Sequence, residues 1–263
     1  MGSFSLLTFE KNRFCMETPF LSIVIPAYNE ASRKGPGIRE HLQSIHSYFQ
    51  SHPISYEVVV VNDGSTDQTV AVVESFRSLF SELTILDRAE NKGKLYSVQE
   101  GLLYARGKYR LFTDADGATP IHNLDLFWDY IQAEEHIIIG SRDLIQSQII
   151  KSQPKWKVFL GDAGNYLVQY TLGLQGILDT QCGFKVFSAE VVERIVPHIR
   201  ALRWGGDFEI LAVGKKMGYA IREIAISWED SGQSTVGIKG YFLTLKELIE
   251  VKWRLVRGAY PLR

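Results

Sequence analysis

The sequence predicts an α/β fold in which helices flank a mostly parallel central sheet. In the first half of the chain, short apolar runs alternate with helical segments of about 10 to 15 residues, which is typical of parallel strands joined by right-handed crossovers. The run at residues 56–61 has no polar alternation, which indicates a strand covered on both faces. Polar segments follow the strands, as they do at the ligand-binding edge of open parallel sheets.

Each element of the first half follows from its local pattern. The first helix is predicted because Ile38, Leu42 and Ile45 recur on one face. The predicted strands cover residues 21–25, 56–61, 83–87, 109–113 and 136–140. The predicted helices cover residues 38–50, 68–80, 94–106 and 124–133.

The second half has a weaker pattern. Ser188 is a suitable N-cap for one of its helices. The predicted helices cover residues 156–172, 188–196 and 241–257, and the predicted strands cover residues 184–187 and 220–228. Because no repeat or linker interrupts the chain, we expect an extension at 1–20 and a single domain at 21–257. That domain divides into the parts 21–140, 141–235 and an amphipathic C-terminal helix at 240–257.

Composition and charge exclude several classes of protein. The 263 residues are 45% hydrophobic and 22% charged, which is typical of one folded domain. A net charge of −1 argues against a nucleic-acid binder. Two cysteines, Cys15 and Cys182, argue against a disulfide scaffold or a thiolate zinc site. No apolar run approaches the roughly 20 residues of a membrane span, and the charged residues within 1–20 do not fit a signal peptide. We therefore expect a cytoplasmic protein, soluble or peripheral on a membrane.

Four polar segments are expected at the carboxyl edge of the sheet, where ligands bind. They lie at residues 26–30, 62–65, 91–94 and 114–117. None contains the Gly-rich pattern of a dinucleotide site or a P-loop, so those functions are disfavoured.

Asp114 and Asp116 form the sharpest candidate pair. In extended backbone, residues i and i+2 point the same way, so both carboxylates can converge on one Mg²⁺ or Mn²⁺ ion; the alternative is a solvated turn. Asp63 is either a turn former or an acceptor for the imide N–H of uracil. Tyr28 either has only a packing role or lies against the base or ribose of a bound nucleotide.

This order of segments resembles the family 2 glycosyltransferases, which have the GT-A (nucleotide-diphospho-sugar transferase) fold. The later motifs are Asp114-Ala115-Asp116-Gly117-Ala118-Thr119, Gly140-Ser141-Arg142, Asp179-Thr180-Gln181-Cys182-Gly183-Phe184-Lys185, and Arg203-Trp204 followed by Asp207 and Glu209. These motifs resemble the dolichyl-phosphate β-glucosyltransferases, in the polyprenyl-phosphate branch of that family. The resemblance covers residues 21–253.

The resemblance implies inverting transfer of glucose from UDP-glucose to a dolichyl-type polyprenyl monophosphate, with metal-assisted departure of UDP. It places the nucleotide sugar in the part 21–140, on Pro26, Ala27, Tyr28, Glu30, Asp63, Lys94, Asp114 and Ala115. It assigns Mg²⁺ or Mn²⁺ to Asp116 together with Asp114. It places the acceptor in the part 141–235, on Arg142, Lys155, Lys157, Gln181, Arg203 and Trp204. The expected catalytic residues are Asp114, Asp116, Arg142 and Asp207.

A phosphate acceptor needs cations more than a general base, because it is already ionised near neutral pH, with a second pKa of about 6. Arg142 is the preferred cation, since a guanidinium offers a bidentate fork to phosphate. The alternative for Arg142 and the lysines after it is a charged surface loop. We expect Asp207 and Glu209 to orient Arg203 or the acceptor; a base role for them stays open, and Glu209 alternatively forms an ion pair.

The chain departs from the family pattern in several places. Asn62 precedes Asp63 where paired Asp is common, and Leu95-Tyr96 follow Lys94 where small residues are usual. Ser234-Thr235 replace an expected Ser-Lys pair, which leaves Lys239 as a substitute. The N-terminal membrane anchor usual in the eukaryotic enzymes is not seen in residues 1–20.

The last predicted helix has an apolar stripe beside basic residues. The stripe consists of Phe242, Leu245, Ile249, Trp253 and Val256. Such a helix can lie on an anionic membrane surface, here the cytosolic face, or can pack on the sheet or on a partner subunit. A homo-oligomer is therefore left open.

Other functions remain as alternatives. They are a family 2 enzyme that uses GDP-mannose or a UDP-N-acetylhexosamine, one with a non-phosphate glycan acceptor, a nucleotidyltransferase, and an inactive nucleotide-sugar sensor. A nucleotidyltransferase usually has a Gly-rich loop after its first strand, which residues 26–30 lack. The presence of both Asp114 and Asp116 argues against the sensor.

Overall fold

A computed structural model of the chain describes residues 18–33, 37–151, 155–201, 203, 205–230 and 238–260. The strands are β1 (Leu21–Ala27), β2 (Tyr56–Asp63), β3 (Leu83–Arg88), β4 (Tyr109–Thr113), β5 (Ile137–Ser141), β6 (Gln148–Lys151), β7 (Phe184–Ser188), β8 (Ile221–Ala225) and β9 (Ser227–Glu229). The helices are α1 (Ile38–Ser51), α2 (Thr69–Glu74), α3 (Lys94–Tyr104), α4 (Trp128–Gln132), α5 (Lys155–Leu172), α6 (Ala189–Ile195), α7 (Gly206–Lys216) and α8 (Ile238–Val256). Short 3₁₀ helices lie at Arg77–Leu79, Ile121–Leu126 and Val196–His198.

The predicted mostly parallel sheet is confirmed. Its strand order is β3-β2-β1-β4-β7-β5-β8, and the pairs β1/β2, β2/β3, β1/β4 and β5/β8 are parallel. Only β7 among these strands runs antiparallel to its neighbours, β4 and β5. The chain moves outward from β1 to β3 and then returns to β4 on the other side of β1. This reversal of strand order marks the edge where open sheets bind ligands.

Two apolar cores cover the faces of the sheet, as the mainly apolar strands predict. Along β1, Val24 faces the core beneath α3, while Ile23 and Ile25 face the core beneath α1. All seven residues of β1 are buried. This burial fixes the strand ends rigidly, so the loops that follow them have defined positions.

Several predicted elements differ from those observed. The helix expected at 68–80 ends at Glu74, and the one expected at 124–133 is divided between a 3₁₀ turn and α4. The strand expected at 220–228 is two strands, because Ile226 bonds to β5 through its N–H and to Gln148 through its carbonyl, and the chain passes between sheets there. Helix α7 was not predicted. Its residues 206–214 are buried all round, so they carry no amphipathic period.

Candidate active site

The loops after β1 and β2 are joined by hydrogen bonds at the carboxyl edge of the sheet. The backbone N–H of Asn29 donates to Ser65 Oγ (2.9 Å), and the Asn29 side-chain oxygen accepts from the Thr66 N–H (2.8 Å). The N–H of Glu30 donates to Thr69 Oγ1 (2.8 Å). Asn29 has a φ of 53°, a conformation that asparagine tolerates better than most residues. The two loops therefore form one ordered wall.

Asp63 organises the next loop. Its buried carboxylate accepts from the backbone N–H groups of Lys92 (2.8 Å) and Gly93 (2.9 Å), and it also pairs with the Arg88 guanidinium. Arg88 packs over the Tyr96 ring, 4.8 Å from its centroid. Sequence reasoning missed Arg88, because its partner Asp63 lies on another strand, 25 residues away along the chain.

Lys94 and Asp114 form an ion pair at the centre of the edge. Lys94 is the first residue of α3, and its Nζ lies 2.6 Å from Asp114 Oδ1. Burial lowers the pKa of Lys94, but the carboxylates of Asp114 and Asp207 outweigh it and leave that pKa raised. Desolvation raises the pKa of Asp114, and the charge of Asp116 adds to the rise.

The turn that carries Asp116 is built on glycine. Gly117 has a φ of +62°, and a Cβ there would lie 3.0 Å from His41 Nδ1, so only glycine fits without strain. Asp116 Oδ1 accepts from the Ala118 N–H (3.1 Å), which fixes the carboxylate. Burial lowers the pKa of His41 to about 4, so the imidazole is neutral beneath the turn at neutral pH.

Glu30, Arg33 and Asp116 form a second charged group beside the first. Arg33 Nη1 lies 3.2 Å from Glu30 Oε1, and its Nη2 lies 2.9 Å from Asp116 Oδ2. Burial raises the pKa of Glu30 to about 7; Arg33 opposes the rise, and Asp116 and Asp114 add to it. The edge thus gathers three carboxyl groups with two basic side chains.

The donor set fits a hard divalent cation. Among the described residues no cluster of three or more His, Cys, Asp or Glu side chains has the arrangement of a protein-only metal cage. Mg²⁺ is usually held by one or two carboxylates with substrate phosphates supplying further oxygens, and Asp114 and Asp116 provide such a pair. Each of these carboxylates already faces a cationic group, Lys94 or Arg33, which shows that the place favours positive charge.

Arg142 is held in a bidentate pair. Its Nε and Nη2 donate to the two oxygens of Asp179 at 2.7 and 3.0 Å, and its guanidinium lies 5.6 Å from the Trp228 ring centroid. Asp179 is 2% exposed. The same loop reaches Asp114, whose N–H donates to the Gly183 carbonyl (3.2 Å). The loop at 179–183 therefore contacts Arg142 at one end and Asp114 at the other.

Asp207 and Glu209 each form an ion pair with a basic residue other than Arg203. Asp207 pairs with Lys185 (Oδ1 to Nζ, 2.7 Å), and both side chains are buried. Glu209 pairs with Arg254 (2.9 Å). Neither acid has a contact with Arg203 among the described residues, because the first turn of α7 is buried and its acids face other cations. Glu209 thus forms the ion pair given as its alternative, and a role of either acid in orienting the acceptor stays a prediction. The Arg203 N–H instead donates to Glu247 (3.2 Å).

The other predicted residues have varied positions. Pro26, Ala27 and Ala115 are buried, and Tyr28 is 47% exposed beside them. Gln181 is partly buried and Arg203 is exposed. Residues outside the described side chains are Lys155, Lys157, Trp204, Ser234, Thr235 and Lys239. Of the expected extension, residues 1–17 also lie outside the described residues.

Two departures from the family pattern have local explanations. The Asn62 amide donates to Asp87 Oδ1 (2.7 Å), a bond that a second aspartate would replace by repulsion. Leu95 is completely buried against Gly206, where a Cβ would lie 2.8 Å from its Cγ. Larger residues after Lys94 are thus accommodated by a glycine on α7.

Comparison with known proteins identifies the family of the chain. The sequence profile of glycosyl transferase family 2 matches residues 22–196. The chain belongs to that family and is a glycosyltransferase.

Within the family, its similarity is to dolichyl-phosphate beta-glucosyltransferases. It is 31% identical to that of Dictyostelium discoideum, over 96% of this chain and 80% of the relative. It is 31% identical to the human enzyme, over 93% and 78% of the two chains. The resemblance seen in the motifs is confirmed.

Solved structures confirm the GT-A fold. Glucosyl-3-phosphoglycerate synthase of Mycobacterium tuberculosis superposes with a TM-score of 0.65 at 16% identity, over 89% of this chain and 81% of that chain. Mannosyl-3-phosphoglycerate synthase of Rubrobacter xylanophilus gives 0.66 at 16% identity, over 91% and 74%. The mycobacterial synthase has also been crystallised with Mn²⁺, UDP-glucose and glycerol 3-phosphate.

Proposed function

We propose that this glycosyltransferase transfers glucose from UDP-glucose to a polyprenyl monophosphate of the dolichyl type. The observation that carries the proposal is the Asp114–Asp116 carboxylate pair at the switch point of the sheet, in a chain similar over most of its length to dolichyl-phosphate beta-glucosyltransferases. The structural relative crystallised with Mn²⁺ and UDP-glucose supports the choice of donor.

The donor would bind along the wall made by the first two loops. Tyr28 would cover the uridine, and Asp63 would accept from its base, with Pro26, Ala27, Glu30, Lys94 and Ala115 lining the site. Asp116 and Asp114 would hold Mg²⁺ or Mn²⁺, and the ion would stabilise the negative charge of the departing diphosphate as a Lewis acid. Lys94 would add a second positive charge there.

The acceptor phosphate would attack the anomeric carbon directly. An oxygen of the phosphate forms the new bond to that carbon while the bond to the UDP oxygen breaks, so the configuration inverts in one displacement. No proton has to leave the nucleophile, because its second pKa is about 6. The buried Lys185–Asp207 pair agrees with this, since Asp207 is already engaged by a cation.

Arg142 would bind the acceptor phosphate, with Gln181, Arg203, Trp204, Lys155 and Lys157 around it. Asp179 supports the role of Arg142 because it holds the guanidinium plane in one orientation. Burial raises and Arg142 lowers the pKa of Asp179, with a net decrease, so the supporting carboxylate stays ionised.

The decisive experiment supplies radiolabelled UDP-glucose with a short-chain polyprenyl phosphate and Mn²⁺. We expect a glucosyl phospholipid whose anomeric configuration, read by NMR, is β. The same assay with GDP-mannose, UDP-N-acetylglucosamine and sugar-hydroxyl acceptors should give little product. Product only with a hydroxyl acceptor would overturn the proposed acceptor, and product only with another donor would overturn the sugar.

Replacing Arg142 by lysine tests the acceptor site. Arg142→Lys keeps the charge but loses the planar guanidinium that Asp179 orients, and with it one hydrogen bond to the phosphate. We therefore expect the KM for polyprenyl phosphate to rise about tenfold, the effect of one charge-assisted hydrogen bond. Binding of UDP, measured by calorimetry, should not change. Arg222→Lys is the control, because Arg222 also pairs with a carboxylate, Glu135, on an exposed strand. Equal losses of UDP and acceptor binding would contradict the role of Arg142.

We further propose that α8 rests on a membrane surface. Its inner face, Leu248, Val251 and Leu255, is buried in the core. Its outer face is apolar with basic residues on both sides, and its exposed side chains are Phe242, Leu243, Leu245, Lys246, Ile249, Lys252, Trp253 and Val256. The stripe seen in the sequence is therefore exposed, which argues against packing on the sheet.

Charge and position support an anionic lipid surface. Each basic residue near such a surface contributes about 1 kcal/mol. Tyr166 and Tyr170 on α5, which packs beside α8, are more than 70% exposed and would add to the contact with lipid. No helix in the described ranges has the length and hydropathy to cross a bilayer.

Vesicle binding tests the surface on α8. We expect the protein to sediment with phosphatidylserine-containing vesicles and the double variant Ile249→Ser/Trp253→Ser to bind about a hundredfold more weakly, since two large apolar side chains contribute about 3 kcal/mol. Leu79→Ser is the control, because Leu79 is also an exposed apolar residue but lies far from α8 in the sequence. This variant should bind the vesicles as tightly as the wild type. If the wild-type protein does not bind vesicles and is a dimer, while the double variant is a monomer, α8 forms a subunit interface instead.

A further inference from the structure

Arg33 occupies a special position among the acids of the active-site edge. Its two terminal nitrogens contact different carboxylates, Glu30 on one side and Asp116 on the other. All three side chains are largely buried, with 13%, 11% and 15% of the side chain exposed for Arg33, Glu30 and Asp116. An ion pair that is shielded from water to this degree is screened by salt much less than a surface pair.

Arg33 lies where it would repel a cation bound to Asp116. Asp116 Oδ1 accepts from the Ala118 N–H, and Asp116 Oδ2 lies 2.9 Å from Arg33 Nη2. A divalent ion held by Asp116 would therefore lie within a few ångströms of the guanidinium charge. Because like charges repel at such distances, the guanidinium and the ion would compete for the Asp116 carboxylate.

We propose that Arg33 pairs with Asp116 as its counter-cation when no divalent ion is bound. When metal and nucleotide bind, Arg33 leaves Asp116 and pairs with the diphosphate of the donor. The inference rests on the proposed function, since it assumes a metal at Asp116.

Two features allow the exchange. Arg33 and Glu30 lie three residues apart on the same loop, so Glu30 can keep hold of Nη1 while Nη2 leaves Asp116. A guanidinium also matches phosphate in shape and charge, so a diphosphate beside Asp116 offers Arg33 a new anionic partner. The exchange makes binding of metal and nucleotide cooperative. The nucleotide draws Arg33 away from Asp116 and leaves that carboxylate to the metal, and the metal displaces Arg33 from Asp116 and leaves the guanidinium to the diphosphate.

The test measures Mn²⁺ binding by electron paramagnetic resonance, with no sugar transfer involved. Without nucleotide, Arg33→Gln should bind Mn²⁺ about tenfold more tightly than the wild-type protein, because the competing charge is absent. With UDP present, that advantage should disappear, so that the coupling between UDP and Mn²⁺ falls about tenfold. Arg33→Lys should give intermediate values.

Arg39→Gln is the matched control, because it removes the same charge from an exposed position nearby on α1. It should leave the affinity for Mn²⁺ unchanged, both without and with UDP. If Arg33→Gln binds Mn²⁺ no more tightly than the wild type, or if Arg39→Gln has the same effect, Arg33 is not a specific competitor. If the wild-type protein binds neither Mn²⁺ nor UDP, the proposed function itself fails.

Discussion

Asp116→Asn should lower kcat/KM for glucose transfer by about three orders of magnitude, which corresponds to ~4 kcal/mol of lost transition-state stabilisation. An amide removes the negative charge that would hold the divalent ion, yet its oxygen can still accept from the Ala118 N–H, so the turn should persist. Initial rates measured across a Mn²⁺ titration would show both the loss and a weakened dependence on the cation.

The control for this substitution is Asp129→Asn, which neutralises an exposed acid on α4. It should leave turnover unchanged. Unfolding curves for both variants would establish that the loss lies in chemistry. An Asp116→Asn protein with normal turnover and normal cation dependence would contradict the assigned metal site.

Lys185→Met should reduce the free energy of unfolding by about 3–5 kcal/mol, because it leaves the Asp207 carboxylate buried without its partner. Lys185 is 1% and Asp207 5% exposed, so water cannot replace the lost charge. Urea unfolding at neutral pH measures the change. The double variant Lys185→Met/Asp207→Leu should recover most of it, since removing both charges also removes the desolvation cost.

Lys108→Met provides the contrast, because Lys108 pairs with Glu134 where both side chains are more than half exposed. Surface pairs contribute about 0–1 kcal/mol, so this variant should be nearly as stable as the wild type. A Lys185→Met protein that is equally unaffected would show that the buried pair is not needed for the fold. A double variant less stable than Lys185→Met would show that Asp207 has stabilising partners besides Lys185.

The first half of the fold could be predicted from the sequence because its signals are local. The buried strands β1, β2 and β4 are mainly apolar, and the polar residues after them must lie at one edge of a parallel sheet. Asp63, Asp114 and Asp116 were found in this way. Helix α7 could not be found, because burial on every side removes the period that identifies a helix.

Only the tertiary structure shows which charged side chains pair with one another. The sequence contained Asp207, Glu209 and Arg142 as charged candidates, but their partners Lys185, Arg254 and Asp179 lie 22, 45 and 37 residues away along the chain. Ion pairing depends on distances of a few ångströms, which spacing along the chain does not encode.

The sequence by itself determined the fold class, the family and the edge of the sheet where the candidate site lies, since periodicity and the order of motifs are properties of the chain. The tertiary structure decided that Arg33 reaches Asp116 across 83 residues and that α8 turns one apolar face inward and another outward. Both outcomes arise from the way separate elements pack, because burial and electrostatic pairing are set by neighbours in space.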